Sequence, residues 1–253
     1  MPALPVSVRL ALWSTAALQG RLDLDEAMAR AHPDLDDHTG DLGTVQLWRD
    51  LGEGAVLVAL PRPGDLTGMP RAAVEVSAAA AEVGECVYVA GMGGLLVPTL
   101  STFGPDGDEG TAARWTAYDA EPVARHVLES LSLADLERQL NEAIHDGAAT
   151  LEAADGRPWS PEPRSNADRR LGEGRWGLPD EMPPRAVRLM GTAARVGVIA
   201  HEGLRLAAAG PALDLHSSSQ RESGLRALQS AADAALAGAT NVAVMALAGW
   251  RPA

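Results

Sequence analysis

With 253 residues, 46% of them hydrophobic and 22% charged, the chain has ordinary globular composition and enough length for a substantial core. Its formal net charge of −13 excludes nucleic acid and anionic membranes as default partners, because both require clustered positive charge. All 21 basic residues are arginine, which excludes a P-loop lysine, a Schiff-base nucleophile and a lysine general base, and the single Cys86 excludes an internal disulfide and any multi-cysteine zinc site.

Residues 5–31 read as a helical hairpin. Val6, Leu10, Trp13 and Ala17 share one face of its first helix. The stretch Leu10–Leu18 follows a lone Arg9, without the basic start and small-residue cleavage site of a signal peptide, so it is read as mature helix. Asp23-Leu24-Asp25-Glu26 has the form of a capping box opening the second helix, and His32-Pro33 ends it. No uninterrupted apolar run approaches the roughly 18 residues of a membrane span. A soluble cytoplasmic protein is therefore expected.

Between residues 55 and 128 the pattern changes to short apolar runs. Ala55–Leu60, Cys86–Ala90, Leu95–Phe103 and Thr111–Tyr118 read as strands, with Val123–Leu128 as a weaker fifth and Arg71–Val83 as an alanine-rich helix after the first. Turn-separated neighbours favour an antiparallel sheet. Gly91-Met92-Gly93-Gly94 follows a strand as a dinucleotide fingerprint would, but the third glycine and the following helix are lacking, so it reads as a hairpin turn.

Ser132-Leu133-Ala134-Asp135 then caps a helix to about Ala154. Residues 155–184 lack a convincing period and hold six of the 17 prolines, four glycines, Trp159 and Trp176, which suggests an extended packed arm. Its Arg164, Arg169, Arg170 and Arg175 are interleaved with Asp168 and Glu173, too weak a positive balance for a nucleic-acid footprint. Two helix-periodic runs follow, Arg185–Ala209 and Ser219–Ala248. In the second, Leu225, Leu228, Ala232, Ala235, Ala239, Val242 and Ala246 recur at spacings of three and four, a seam of small side chains that lets a partner helix approach closely.

The fold class expected is α+β: an N-terminal helical hairpin, a small mostly antiparallel sheet and a long C-terminal helical pair. The divisions are an α+β part at 1–154 with a four- or five-stranded sheet, the arm at 155–184 and the helical pair at 185–253, with the two ends sharing one core.

Three polar stretches are candidate sites. His32-Pro33-Asp34-Leu35-Asp36-Asp37-His38-Thr39-Gly40-Asp41 places two imidazoles and four carboxylates in ten residues, ligand types suited to zinc or calcium, with His32, Asp34, Asp36 and His38 the natural set. The bland alternative is a solvated loop whose aspartates cap helices, and no cofactor is firmly implied. His216, Ser217, Ser218, Ser219 and Arg221 would converge on a phosphate or carboxylate if a helix starts there, although Ser219 with Glu222 also makes a plain capping box. His201 falls in line with Met190, Ala194 and Leu204 and is expected to be a core histidine, with a catalytic base as the sharper alternative. Cys86 lies within an apolar strand and is expected to be inert.

No motif identifies a reaction. The expectation drawn from the seam is a non-catalytic interaction protein that self-associates or docks a protein partner through helical faces. A binder or hydrolase of a small anionic ligand at His216–Glu222 and a metal-dependent enzyme using the His32–Asp41 loop are the alternatives.

Overall fold

A computed structural model, which describes residues 4–105, 108–155, 177–209 and 215–251, shows an α+β protein. Helix α1 (Val6–Leu18) is buried on every side from Val6 to Ala17, where a one-faced helix was expected. It lies between α2 (Leu24–Ala31), strands β2 (Leu57–Ala59) and β3 (Cys86–Tyr88), and the last helix, α8 (Leu215–Leu247). Its one interior charge, Arg9, is paired with Asp34. Asp23 caps α2 as the sequence indicates, accepting the Glu26 N–H at 2.7 Å, but the Glu26 side chain turns forward to Arg30 instead of closing the box.

The sheet has five strands in the order β1-β5-β4-β3-β2. The antiparallel hairpin of β4 (Leu95–Phe103) and β5 (Gly110–Tyr118) is its longest ladder, and β3 and β2 continue it antiparallel. The other edge departs from expectation. Val123–Leu128 is not a strand: Val123 donates to the Ala90 carbonyl at 2.9 Å, and the chain then enters the short helix α5 (Arg125–Glu129). The fifth strand is β1 (Asp37–Gly40), parallel to β5, drawn from the acidic loop. It has no apolar alternation to announce it; backbone pairing to Ala112–Trp115 holds it. Gly40 has φ +87°, and a β-carbon there would collide with the Trp115 carbonyl, so glycine is required where β1 leaves the sheet.

Helix α4 (Val74–Val83) packs on β4, α3 (Gly43–Asp50) buries Val45 and Trp48 in the core, and α6 (Leu133–Asp155) and α7 (Pro184–Ala209) pack on α8. The seam of α8 is buried for most of its length: Leu225, Leu228, Ala232, Ala235, Ala239 and Val242 are buried, and Ala246 at its end is half-buried. Glycines set the approach. A β-carbon at Gly203 of α7 would lie 2.9 Å from Leu225 Cδ2, and one at Gly238 of α8 would lie 2.7 Å from Leu136 Cδ1 of α6. By length and composition Ser219–Leu247 would also qualify as a membrane span, with mean hydropathy 1.3, but 72% of that window is buried inside the protein.

One apolar cluster runs from Leu4 and Val6 through the strands to Ala232, Val242 and Met245, so both ends of the chain share a core. Helix α6, which the expected divisions group with the sheet, packs on α7 and α8. Of the arm, Gly177–Pro184 lies within the described residues. There the Gly177 carbonyl accepts the Trp13 indole N–H at 2.7 Å, Glu181 pairs with Arg21 and Met182 is buried; Trp159, Trp176 and the four arginines of 164–175 lie outside them.

Sheet and helices are joined at the β2 edge by two side chains. Thr15 Oγ1 of α1 accepts the Val56 N–H at 3.0 Å and donates to the Val56 carbonyl at 3.3 Å. Asn241 of α8 repeats the clamp on Val58: its Oδ1 accepts the N–H at 2.8 Å and its Nδ2 donates to the carbonyl at 2.9 Å. Backbone groups that an edge strand would leave open are thereby satisfied within the core.

Candidate functional site

The C-terminal helices meet the sheet half of the chain along a crevice of about 310 Å³. One wall is Leu4–Val6, Arg62, Val83–Glu85 and Leu100; the other is Ala193, Ala194, Gly197, Val198 and His201 of α7 with Gln229, Asp233 and Leu236 of α8. Local sequence explains each placement. Arg62 sits in the turn Pro61-Arg62-Pro63-Gly64-Asp65, closed by reciprocal backbone bonds between Arg62 and Asp65. Gly84 ends α4 in the left-handed region at φ +87°, and a β-carbon there would strike the Arg62 guanidinium. Glu85 follows at once, turned inward at the start of β3.

The polar groups converge across long sequence separations. Arg62 Nε donates to Asp233 Oδ2 at 2.7 Å. Asp233 is only 8% exposed, and burial pushes its carboxyl above the usual range, opposed by the bond and charge of Arg62. Glu85, 9% exposed, accepts the Ser7 backbone N–H at 2.8 Å; burial pushes it up as well, opposed chiefly by the bonds from Ser7. Asp65 accepts bonds from Ser230 and Thr67, which hold it below the ordinary range.

His201 is exposed at the rim of this crevice, within electrostatic reach of Asp233, and is not the core histidine expected. Its face of α7 opens onto the crevice, whereas Met190 and Ala194 on the same line are buried. Arg221 does not join it. The rim residues Gln229 and Asp233 lie two to three turns further along α8, roughly 12–18 Å away at 1.5 Å per residue. Helix α8 begins at Leu215, so Ser219 is an exposed residue of the helix and not its cap, and Arg221 is half-buried. Without a helix start at Ser219, the free backbone donors of the expected anion site are absent there. The side chains of His216, Ser217 and Ser218 lie outside the described residues.

The acidic loop is dismantled by its own contacts. Asp34 pairs with Arg9, Asp36 accepts the Thr111 N–H at 2.8 Å and Asp37 accepts the His38 N–H at 2.8 Å. His32 Nε2 bonds the Val6 carbonyl at 3.2 Å, and its ring lies 4.8 Å from that of His38. Burial and the neighbouring His38 push His32 down to about 3. Among the described residues no three His, Cys, Asp or Glu side chains are placed to hold a metal ion, so His32, Asp34, Asp36 and His38 do not form a ligand set. Cys86 is buried and its thiol is pushed up to about 12 by burial, which keeps it protonated.

Comparison with known proteins bears on the halves that form the crevice. Residues 7–129 match the N-terminal domain of Rv1486c-like protein, and residues 134–237 match its C-terminal domain. The chain belongs to the Rv1486c-like family. No curated protein and no solved structure matches it. The division between the two matched domains falls between α5 and α6, so Arg62 and Glu85 come from the N-terminal domain of this Rv1486c-like chain, and His201, Gln229 and Asp233 from the C-terminal one. Sequence reasoning found His201 but missed Arg62, Glu85 and Asp233. For Glu85 and Asp233 a signal was present, a carboxylate beside an apolar strand and another in an alanine-rich helix, whereas Arg62, in a proline- and glycine-rich turn, carried none.

Proposed function

We propose that this protein is a small-molecule binder whose site is the crevice between its two domains. The observation that carries the reading is the crevice's composition: apolar walls of Leu, Val and Ala with a few convergent polar groups, Arg62, Glu85, Gln229 and Asp233, at a domain junction. Its volume, about 310 Å³, is at the small end of ligand sites and suits a compact molecule. This moves the small-ligand alternative from His216–Glu222 to a different place in the fold. Ligand-observed NMR of a fragment library against the wild type and a Val198→Trp variant tests it, because Val198 is a half-buried wall residue whose enlargement fills the space. Fragments that bind the wild type and are lost from a variant of unchanged melting temperature support the reading. Fragments that bind both equally remove it.

A second reading, self-association, has one specific observation in its favour. The seam of α8 is occupied by the chain's own helices, but Leu47 and Leu51 at the end of α3 and Met92 in the β3–β4 turn are large apolar side chains exposed at 53%, 58% and 44%. The Met92 N–H donates to Glu53 at 2.6 Å, which holds that turn beside the end of α3. Self-association through this patch predicts that Leu47→Glu lowers the mass seen by light scattering; an unchanged mass excludes the patch as the interface.

A further inference from the structure

We infer that the ligand of the interdomain crevice carries a cationic head, a protonated amine, on a compact apolar body; the inference rests on the crevice being a ligand site. The balance of charges carries it. Arg62 is already matched by Asp233 at 2.7 Å. Glu85 lines the same crevice, is nine-tenths buried, and among the described residues forms no ion pair; what it bonds is the neutral Ser7, whose N–H it accepts at 2.8 Å. Arg62 and Arg9 act on it only from a distance, and Arg9 is itself held by Asp34. Asp65 lies within reach of Asp233 and adds a further carboxylate to this end, while His201 stands at the rim. Glu85 is therefore the one carboxyl group lining the crevice that would lack a counter-charge once ionised. A carboxylate ligand would have to reach Arg62 alongside Asp233, whereas an ammonium group completes Glu85 without disturbing the existing pair.

The protonation balance gives the inference a readout of its own. Burial without a counter-charge pushes the Glu85 carboxyl above its ordinary range and so favours its protonated form in the empty crevice. An incoming ammonium favours the carboxylate, and the proton that Glu85 gives up leaves to solvent, so binding releases protons, at most one for each ammonium bound.

Three probes of one shape and different heads test this: benzylamine, benzyl alcohol and benzoate. Each is titrated into the full chain by calorimetry in two buffers of different ionisation enthalpy, with amide NMR spectra recorded for Gly84 and Gly197. Benzylamine is expected to bind, to shift both glycine amides and to release a proton. The Glu85→Gln variant, once thermal unfolding shows an intact fold, is expected to lose affinity for benzylamine roughly thirtyfold, the loss that follows deletion of one side of a buried charge pair, and to lose the proton release. Benzoate or benzyl alcohol binding as tightly as benzylamine, or benzylamine binding Glu85→Gln unchanged, overturns the cationic head and leaves the crevice as a site. No amide shift at Gly84 or Gly197 with any of the three overturns both.

Discussion

Replacing Asn241 with leucine isolates the bond between the C-terminal helix and the sheet edge. Leucine has nearly the shape of asparagine, so the packing of α8 is largely retained. What is removed is the acceptor for the Val58 N–H at 2.8 Å and the donor to its carbonyl at 2.9 Å. Val58 and Asn241 are buried, so water cannot replace either partner. Each buried polar group left unsatisfied costs about 1–3 kcal/mol, and two together cost about 2–6 kcal/mol. For a chain of this size that corresponds to a fall in melting temperature of roughly 4–24 °C. Thr240→Val is the matched control, since the Thr240 hydroxyl only donates to the Leu236 carbonyl of the same helix, and its loss costs under about 1.5 kcal/mol. Scanning calorimetry reads the difference, and hydrogen exchange at the Val58 amide locates it. If Asn241→Leu melts no lower than Thr240→Val, the clamp does not join the two parts and the reasoning fails.

Three further outcomes follow from the same physics. Because the folded state holds Glu85 above its ordinary 4.5, wild-type stability falls as pH rises through the window from 4.5 to the raised value, at about 1.4 kcal/mol for each unit of displacement. Glu85→Gln is expected to melt above the wild type at pH 7 and level with it near pH 4; a lower melting point at both shows that the carboxyl is not buried uncharged. His32 has the opposite sign. Its folded value of about 3 lies below the ordinary 6.5, so stability is full above 6.5 and is lost as pH falls toward 3, on the order of 5 kcal/mol in all. His32→Gln is expected to flatten the melting profile between pH 6.5 and 4, and an unchanged slope contradicts the burial of a neutral imidazole. In the α7–α8 contact, Leu225→Ala empties space against Gly203 and is expected to cost about 2–5 kcal/mol by urea unfolding, where a loss below 1 kcal/mol would place Leu225 at a surface.

What could be read from the sequence were the elements whose signal is local. The three- and four-residue spacing from Leu225 to Val242 announced the buried seam, and the turns at Gly91–Gly94 and Gly104 bounded β4 with its full length. Strand β1 could not be read, because Asp37-His38-Thr39-Gly40 has no apolar face and exists through hydrogen bonds to β5 more than seventy residues away. The shared face of Val6, Leu10, Trp13 and Ala17 shows only one buried side of α1, yet the small hydroxyl residues Ser7, Ser14 and Thr15 are buried too, and Thr15 makes one of the two edge clamps. For the crevice, Asp233 within the alanine-rich face of α8 and Glu85 between Gly84 and a buried strand were visible anomalies. The partner was not: Arg62 and Asp233 are 171 residues apart, and only the packing of α8 across the sheet half brings them to 2.7 Å. The other two candidates are the opposite case: they look dense along the chain, but a helix starting at Leu215 leaves no helix start at Ser219 to supply backbone donors, and Asp34, Asp36 and Asp37 each bond a different partner.

The most direct test is a crystallographic fragment screen. Fragments are expected to gather between Val83–Glu85 and the facing surfaces of α7 and α8, touching Glu85 or Asp233. Fragments that scatter over the surface and leave that space vacant would contradict the assignment of a ligand site there.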